Sequence, residues 1–297
     1  MTVAHALGKV ILFGEHAVVY GVPAIAAGIA LGTEAYAERS KVSSLELGEL
    51  VASSDDDSEL ARAFSALLAK LDAGSFSVKA KTALPPGCGL GASASLGVAI
   101  ARAVLECAHP GTAEDPERVL GAADAWERVF HANPSGIDAM AAMRGGCFRF
   151  TRNMAPTPIK LAHSLCLAIA VAGPPAPTAE MVNSVAQLKE RRPEVVERTL
   201  EGIRSLVQNA ELCLKTGDLA GVGKLMDYNQ MLLSGLFVST QEIEEACWCA
   251  RQAGALGAKL TGAGGGGSVI ALVEKDPDPV LKAWQQAGFR AFSSIIG

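Results

Sequence analysis

The residues best suited to chemistry include a glycine-rich stretch from Pro85 to Ser95, in which three glycines stand at alternate positions. Glycine adopts backbone angles closed to other residues and lets a ligand approach the main chain. The apolar run that follows predicts a buried helix, so the glycine loop leads into a helix N-terminus. Free N–H groups and the positive end of a helix dipole suit an anion such as phosphate. The stretch therefore predicts a phosphate-binding loop.

The loop alone is compatible with more than one kind of site. It is not a Walker loop, because no Gly-Lys-Ser/Thr sequence ends it. Gly87, Gly89 and Ala92 can be fitted to the dinucleotide-binding pattern, which requires a carboxylate about 20 residues further on. Glu106 comes too early and lies in a helical run, which disfavours a dinucleotide-dependent oxidoreductase. The alternating pattern of residues 75–83 predicts a strand before the loop.

A second group of reactive side chains lies between two apolar stretches near the N-terminus. Lys9 opens the strand-like run of residues 9–13, and Glu15, His16 and Tyr20 follow it. Taken singly, Lys9 would be a solvent-facing strand residue and His16 a loop histidine with its hydrogen bonds satisfied. Taken together between two glycines, these side chains predict the rim of a binding pocket.

Two carboxylates flank a predicted break between helices. Pro116 begins the first helix, which ends near His131, and residues 133–134 would cap and begin the second. Glu127 lies one turn before the end of the first helix, and Asp138 lies just inside the second. Such a kink can aim both carboxylates at one spot, although a capped helix pair with two solvated acids gives the same pattern.

Composition limits the classes of protein that this chain can belong to. Its 297 residues are 49% hydrophobic and 5% aromatic, which is typical of a soluble α/β or α+β protein. The net charge of −5 gives no general attraction to nucleic acid or to an anionic membrane, and no long uncharged apolar span is present. The seven cysteines lack Cys-x-x-Cys spacing, which predicts neither a zinc site nor a disulfide framework. We therefore expect a cytoplasmic protein without nucleic-acid or membrane partners.

A proline-rich segment, residues 173–178, is the best candidate for a linker, because prolines cannot continue a helix or an inner strand. We predict an N-terminal domain at 1–174 and a C-terminal domain at 175–297. The second domain reads as helices with a few strands, which indicates an α+β class. It contains a second glycine run, residues 262–267, and ordering so many glycines costs enough chain entropy to favour a functional role.

Three stretches together resemble one family, the GHMP small-molecule kinases. Residues 9–21 resemble its first motif in the form found in mevalonate kinases, and residues 85–95 are similar to its phosphate loop. Residues 259–267 are similar to the third motif. Residues 133–138 and 227–233 also resemble the mevalonate kinase branch, so the resemblance spans nearly the whole chain.

The resemblance implies a two-domain α+β GHMP kinase fold. Its N-terminal domain is like that of a small-subunit ribosomal protein and its C-terminal domain is ferredoxin-like, with the site in the cleft between them. It also implies ATP-dependent phosphorylation of the 5-hydroxyl of mevalonate, with ATP and mevalonate as partners and a homodimer as a plausible assembly. Two alternatives are another GHMP kinase acting on phosphomevalonate, homoserine or a sugar, and a catalytically inactive sensor of the same fold. Retention of Lys9 and Asp138 disfavours the sensor.

The resemblance assigns catalytic roles to residues of this chain. Asp138 falls at the catalytic aspartate and Lys9 at the motif-one lysine, while Ser93 and Glu127 match the ligands of Mg²⁺. An aspartate within hydrogen-bond reach can accept the proton of an alcohol, and a lysine beside it favours the ionised carboxylate. One carboxylate and one hydroxyl, together with phosphate oxygens, form a ligand set that suits Mg²⁺.

The resemblance also implies two sets of binding residues. The ATP-binding set is Pro86, Gly87, Cys88, Gly89, Leu90, Gly91, Ala92, Ser93 and Ala94. The substrate-binding set is Glu15, His16, Tyr20, Asp138, Thr178, Gly262 and Ala263. Two positions depart from the family. Ala92 replaces the first of two paired serines, which leaves the metal-binding hydroxyl at Ser93, and Ala139 replaces a larger polar residue, which affects substrate packing rather than the reaction.

Overall fold

The computed structural model of the protein describes residues 3–53, 56–131, 134–152, 154–174 and 176–297. Their contacts group them into two compact units. Unit 1 takes its described residues from Met1–Lys9, Ala30–Pro86 and Gly91–Gly145, and unit 2 takes them from Val10–Ile29, Gly87–Leu90 and Gly146–Gly297. Two positions used in the sequence analysis, 133 as a helix cap and 175 as the start of a domain, lie outside the described residues.

The described residues form both strands and helices. The strands are β1 (Ala4–Phe13), β2 (Ala24–Arg39), β3 (Ser44–Leu47), β4 (Leu50–Ser53), β5 (Phe76–Thr82), β6 (Cys147–Phe150), β7 (Thr157–Pro158), β8 (Leu165–Val171), β9 (Gly257–Thr261), β10 (Ser268–Val273) and β11 (Arg290–Ile296). The helices are α1 (Glu59–Leu71), α2 (Ala92–Ala108), α3 (Pro116–Phe130), α4 (Ile137–Arg144), α5 (Thr178–Arg191), α6 (Pro193–Thr216), α7 (Leu219–Gly235), α8 (Gln241–Gln252) and α9 (Asp278–Gln286). A short 3-10 helix, Ala17–Tyr20, follows β1.

Unit 1 packs helices against a mixed sheet. Its strands lie in the order β4-β3-β5-β2, with β3 parallel to β5 and the other neighbours antiparallel. The inward side chains of the sheet, including Val78 and Leu45, join those of α1, α2 and α3 in one apolar core. Helix α2 lies at the centre of this core, because all its residues from Ala94 to Leu105 are buried.

Helices α2 and α3 of unit 1 approach each other closely next to the candidate site. A side chain at Gly97 of α2 would place its Cβ atom 2.9 Å from Cδ1 of Trp126 on α3, so only glycine allows this contact. Ser93 lies one turn before Gly97 on α2, and Glu127 follows Trp126 on α3. The absence of a side chain at one position therefore lets α3 bring Glu127 to the beginning of α2.

Unit 2 contains a four-stranded antiparallel sheet in the order β11-β8-β10-β9. Every residue of β9 is buried, and α7 packs against this strand. A Cβ atom at Gly257 of β9 would lie 1.9 Å from the carbonyl oxygen of Gly223 on α7, so neither position tolerates a side chain. The first residues of β2 pair with β6 in the same unit, and β6 pairs with β7.

The structure confirms the predicted α+β class and corrects one element. The helix that carries Asp138 does not begin at Pro134, because α4 starts at Ile137 and its N-cap, Gly136, has a left-handed φ of 79° that cannot continue a helix. The predicted division into 1–174 and 175–297 stays a prediction. None of the helices in the described part of the chain is both long and apolar enough to cross a membrane.

Candidate active site

Lys9 and Asp138 form the centre of the candidate site in unit 1. Lys9 lies in β1 and Asp138 in the first turn of α4, and Lys9 Nζ is 3.2 Å from Asp138 Oδ1. The Lys9 side chain is only 5% exposed, whereas that of Asp138 is 35% exposed. The carboxylate is therefore held by a buried cation and still reachable by a ligand. The fold thus brings together the two residues that were predicted to be catalytic.

The end of the glycine loop lies directly against this pair. A Cβ atom built on Gly91 would lie 2.8 Å from Lys9 Cγ and 3.8 Å from Asp138 Cβ. Gly91 also has a left-handed φ of 73°, which side chains rarely adopt. Two independent reasons therefore require glycine where the loop passes the ion pair.

Ser93 and Glu127 form a second polar pair in unit 1, as the close packing of α2 and α3 suggests. The Ser93 hydroxyl donates to Glu127 Oε1 and accepts a hydrogen bond of 3.2 Å from Trp126 Nε1. The indole fixes the hydroxyl, so its oxygen is held at the first turn of α2. This arrangement unites the two predicted metal ligands.

The chemistry of this pair fits a divalent cation with hard oxygen ligands. Burial raises the pKa of Glu127, the hydrogen bond from Ser93 opposes this rise, and the negative charge of Asp138 adds to it. A cation beside Glu127 would offset both unfavourable effects. Among the described residues, no group of three or more His, Cys, Asp and Glu side chains is placed to hold a metal. A cation here would therefore need further oxygens from a ligand.

The glycine loop offers its backbone rather than its side chains. Gly87, Gly89 and Gly91 all have φ between 73° and 77°, and α2 begins directly after the last of them. No side chain among the described residues caps the first turn of α2. Pro86 and Gly87 are exposed, and Gly89, Gly91, Ala92 and Ser93 are half-buried, whereas Cys88, Leu90 and Ala94 are buried. The loop can thus present N–H groups to an anion.

The two glycine-rich stretches meet within unit 2. Cβ atoms would lie 3.1 Å from the Thr261 carbonyl oxygen if built on Gly89, and 3.2 Å from Gly89 Cα if built on Gly262. Gly267 makes a similar backbone contact with Cys88. The second glycine run therefore supports the phosphate loop by close backbone packing, which side chains would prevent.

His16 links the first and third motifs in unit 2. Its Nε2 atom lies 2.7 Å from the carbonyl oxygen of Ala263, and because a carbonyl only accepts, Nε2 carries the proton and donates. Burial lowers the pKa of His16, so the neutral ring is favoured. Glu15, immediately before it, is buried, with its carboxylate engaged by Lys259 and by Asn229. The predicted substrate residues 15, 16 and 263 therefore lie together.

Tyr20 and Thr178 lie near opposite ends of α5. Lys189 Nζ lies 4.7 Å from the centre of the half-buried Tyr20 ring, toward the C-terminal end of the helix. Thr178 is exposed at the first position of α5. A Cβ atom at Gly265 would lie 2.6 Å from Met181 Sδ, so the start of α5 packs against the second glycine run.

Several residues of the site escaped the sequence analysis. Lys259 and the polar residues of α7, Asp227, Asn229 and Gln230, were recognised only as parts of motifs, without a role. The sequence did contain one sign of this role, a lysine among small and apolar residues in the strand of residues 257–261, since a buried lysine needs a partner. The identity of that partner could not be read from the sequence.

The comparisons with known proteins place the chain in a family. A model described as GHMP kinases N terminal domain matches residues 58–146, and one described as GHMP kinases C terminal matches residues 209–290. The chain belongs to the GHMP kinases and is an ATP-dependent small-molecule kinase.

Within this family, the similarity is to mevalonate kinases. The chain is 33% identical to the mevalonate kinase of Thermococcus gammatolerans, over 96% of this chain and 93% of that protein. It is 34% identical to that of Methanothermobacter thermautotrophicus, over 99% and 98% of the two chains. The crystal structure of L. major mevalonate kinase in complex with R-mevalonate superposes with a TM-score of 0.88 at 30% identity, covering 99% of this chain and 96% of that one.

Proposed function

We propose that this protein transfers the γ-phosphate of ATP to the 5-hydroxyl of mevalonate and so forms 5-phosphomevalonate, a step of isoprenoid biosynthesis. The observation that carries the proposal is the Lys9–Asp138 pair, 3.2 Å apart, beside the last glycine of the phosphate loop. Phosphoryl transfer needs alignment and charge neutralisation more than covalent catalysis. A carboxylate, a cation and a backbone anion site together can provide this alignment and charge neutralisation.

Asp138 acts as the general base in this reaction. Its partly exposed carboxylate accepts the proton of the 5-hydroxyl as the oxygen attacks the γ-phosphorus. The new bond joins the substrate oxygen to phosphorus, and the bond from phosphorus to the β,γ-bridging oxygen breaks, so that ADP leaves. Buried Lys9 stays beside the carboxylate and stabilises negative charge on the attacking oxygen.

The loop of residues 86–94 holds the triphosphate through backbone N–H groups at the start of α2. This local site explains how a chain with a net charge of −5 can bind ATP. Ser93 and Glu127 would hold Mg²⁺ together with phosphate oxygens. The cation would supply neutralisation of the charge that develops on the phosphates.

Mevalonate offers a carboxylate and a tertiary hydroxyl for recognition. The hydroxyls of Tyr20 and Thr178 can donate to either group, the remaining ring nitrogen of His16 can accept only from the hydroxyl, and Gly262 and Ala263 present backbone. His16 keeps its Nδ1 atom as an acceptor while Nε2 donates to Ala263. We assign these residues to the mevalonate site. The remaining proposals are the domain division at 174, a homodimer and a cytoplasmic location.

The test is ADP release with Mg-ATP against mevalonate, phosphomevalonate, homoserine and galactose in parallel. We expect turnover with mevalonate alone, and loss of that turnover in the Asp138→Asn variant. Turnover with another member of the panel would keep the mechanism and replace the substrate. ATP binding without turnover on any of the four would favour the inactive sensor.

A further inference from the structure

A fully buried ion pair joins the first and third motifs in unit 2. The carboxylate of Glu15 accepts a hydrogen bond from Lys259 Nζ through Oε1, and both side chains are 0% exposed. Oε2 accepts a second hydrogen bond of 3.1 Å from Asn229 Nδ2. Both oxygens of Glu15 are therefore engaged by protein groups, and the side chain presents no surface to solvent.

A buried ion pair of this kind contributes little to the free energy of unfolding. The cost of removing two charges from water can equal or exceed their mutual attraction, and apolar replacements of buried pairs are often neutral. Burial raises the pKa of Glu15, and Lys259 and Asn229 oppose that rise. What a fully hydrogen-bonded buried pair does supply is a defined position for the segments that carry it.

The residues before and after Lys259 in its strand are both bonded to α7. Asp227 Oδ1 accepts from the backbone N–H of Ala258 at 3.0 Å, and Gln230 Oε1 accepts from that of Leu260 at 2.9 Å. Lys259 Nζ also donates to the Leu260 carbonyl oxygen at 2.5 Å. The ammonium group is therefore held in one place by a rigid frame.

Because Glu15 is held in place, the backbone of the next residue, His16, is also fixed. His16 adopts a left-handed φ of 59°, which is uncommon for a residue with a side chain, and donates to Ala263. The end of β1 is held in the same way, because the Thr261 hydroxyl accepts from Ile11 N at 2.8 Å and donates to Ile11 O at 3.1 Å. The strained backbone of His16 thus lies in a loop with two anchors.

We propose that Glu15 is a positioning residue and does not contact the substrate. Together with Lys259 and Asn229 it holds His16 and the backbone at Ala263 in the geometry that binds mevalonate. This inference rests on the proposed function, because it names what His16 and Ala263 are positioned for. It replaces the expectation that Glu15 belongs to the substrate-binding set.

The test uses two single variants and their combination. Glu15→Gln leaves the Lys259 charge buried and unpaired, and Lys259→Met leaves the Glu15 charge in the same state, so we expect each to raise KM for mevalonate on the order of tenfold. The double variant contains no buried charge, and Gln at position 15 can still bond Asn229. Its KM should return to within about threefold of wild type, while kcat and KM for ATP change little in all three proteins.

Rescue by the second substitution separates the two roles of Glu15. If Glu15 contacted mevalonate, the double variant would retain the full defect of Glu15→Gln, and that result would overturn the proposal. A parallel loss of kcat and of affinity for both substrates would indicate a purely structural role and overturn it as well. The exposed pair Lys79–Glu46 provides matched controls, Lys79→Met and Glu46→Gln, which should leave all constants unchanged.

Two further measurements keep the test decisive. If the single variants fail to fold, Asn229→Ala removes one hydrogen bond and no charge, and it should still raise KM for mevalonate several-fold; an unchanged KM would overturn the proposal. Wild-type turnover on the four-substrate panel is measured first. Absence of turnover on mevalonate would refute the proposed function, and the rescue experiment would then be scored with the substrate that the enzyme does accept.

Discussion

Replacing Gly91 by alanine should impair catalysis without removing any catalytic group. The added methyl would lie 2.8 Å from Lys9 Cγ, in the middle of a buried side chain rather than at its flexible end. This separation is roughly 0.7 Å short of the closest favourable contact between carbon atoms, ~3.5 Å. Lys9 must therefore move away, and its ammonium moves relative to Asp138, 3.2 Å away.

The expected size of the effect follows from this displacement. Misplacing a reacting group by about 1 Å can cost about 10²-fold in rate, so we expect kcat of Gly91→Ala to fall on the order of 10- to 100-fold. Alanine in the left-handed conformation also costs about 1–2 kcal/mol of stability. The backbone N–H of residue 91 is retained, so ATP binding should change much less than kcat.

Gly74→Ala separates the two contributions. Gly74 has a φ of 76°, close to the 73° of Gly91, but no atom lies within 4 Å of the position that an added methyl group would take. We expect the same loss of stability and an unchanged kcat. Urea unfolding gives the stabilities, and ADP release with saturating Mg-ATP and mevalonate gives kcat. If both variants lose equal stability and Gly91→Ala keeps wild-type kcat, the contact with Lys9 is unimportant and the reasoning is refuted.

Three other predictions concern single side chains. Asp138→Asn should lower kcat by about 10²–10⁴-fold with an unchanged Kd for ATP by calorimetry, because only the general base is lost; near-normal kcat would exclude that role. Ser93→Ala should raise the Mg²⁺ concentration for half-maximal activity, and an unshifted titration would count against Ser93 as a ligand. Burial raises the pKa of Cys247 from 9.0 to about 12. Between these two pKa values the thiol ionises in the unfolded chain but not in the folded protein. The free energy of unfolding therefore falls as pH rises through this range, by up to about 1.4 kcal/mol per pH unit. Cys247→Ala should lack this loss in urea unfolding from about pH 8 to about pH 10, and parallel curves would refute the assignment.

Local patterns were sufficient for several of the elements. Pro116 predicted the start of α3, and the structure adds that Asp115, just before it, accepts from two backbone N–H groups of the first turn. Pro193 is the first residue of α6 and separates that helix from α5. These signals act within a few residues, so they survive in the sequence. The start of α4 was mispredicted because Gly136, two residues after Pro134, has a left-handed φ that a helix beginning at Pro134 could not contain.

The sequence by itself determined which residue types are available for phosphoryl transfer, and the resemblance assigned their roles. It could not decide how they meet, because the contacts depend on packing between segments far apart in the chain. Lys9 reaches Asp138 across 129 positions only because Gly91 leaves room beside it. The partner of Lys259 is 244 positions away in sequence. A buried charge indicates that a partner is required, and only the tertiary structure decides that the partner is Glu15.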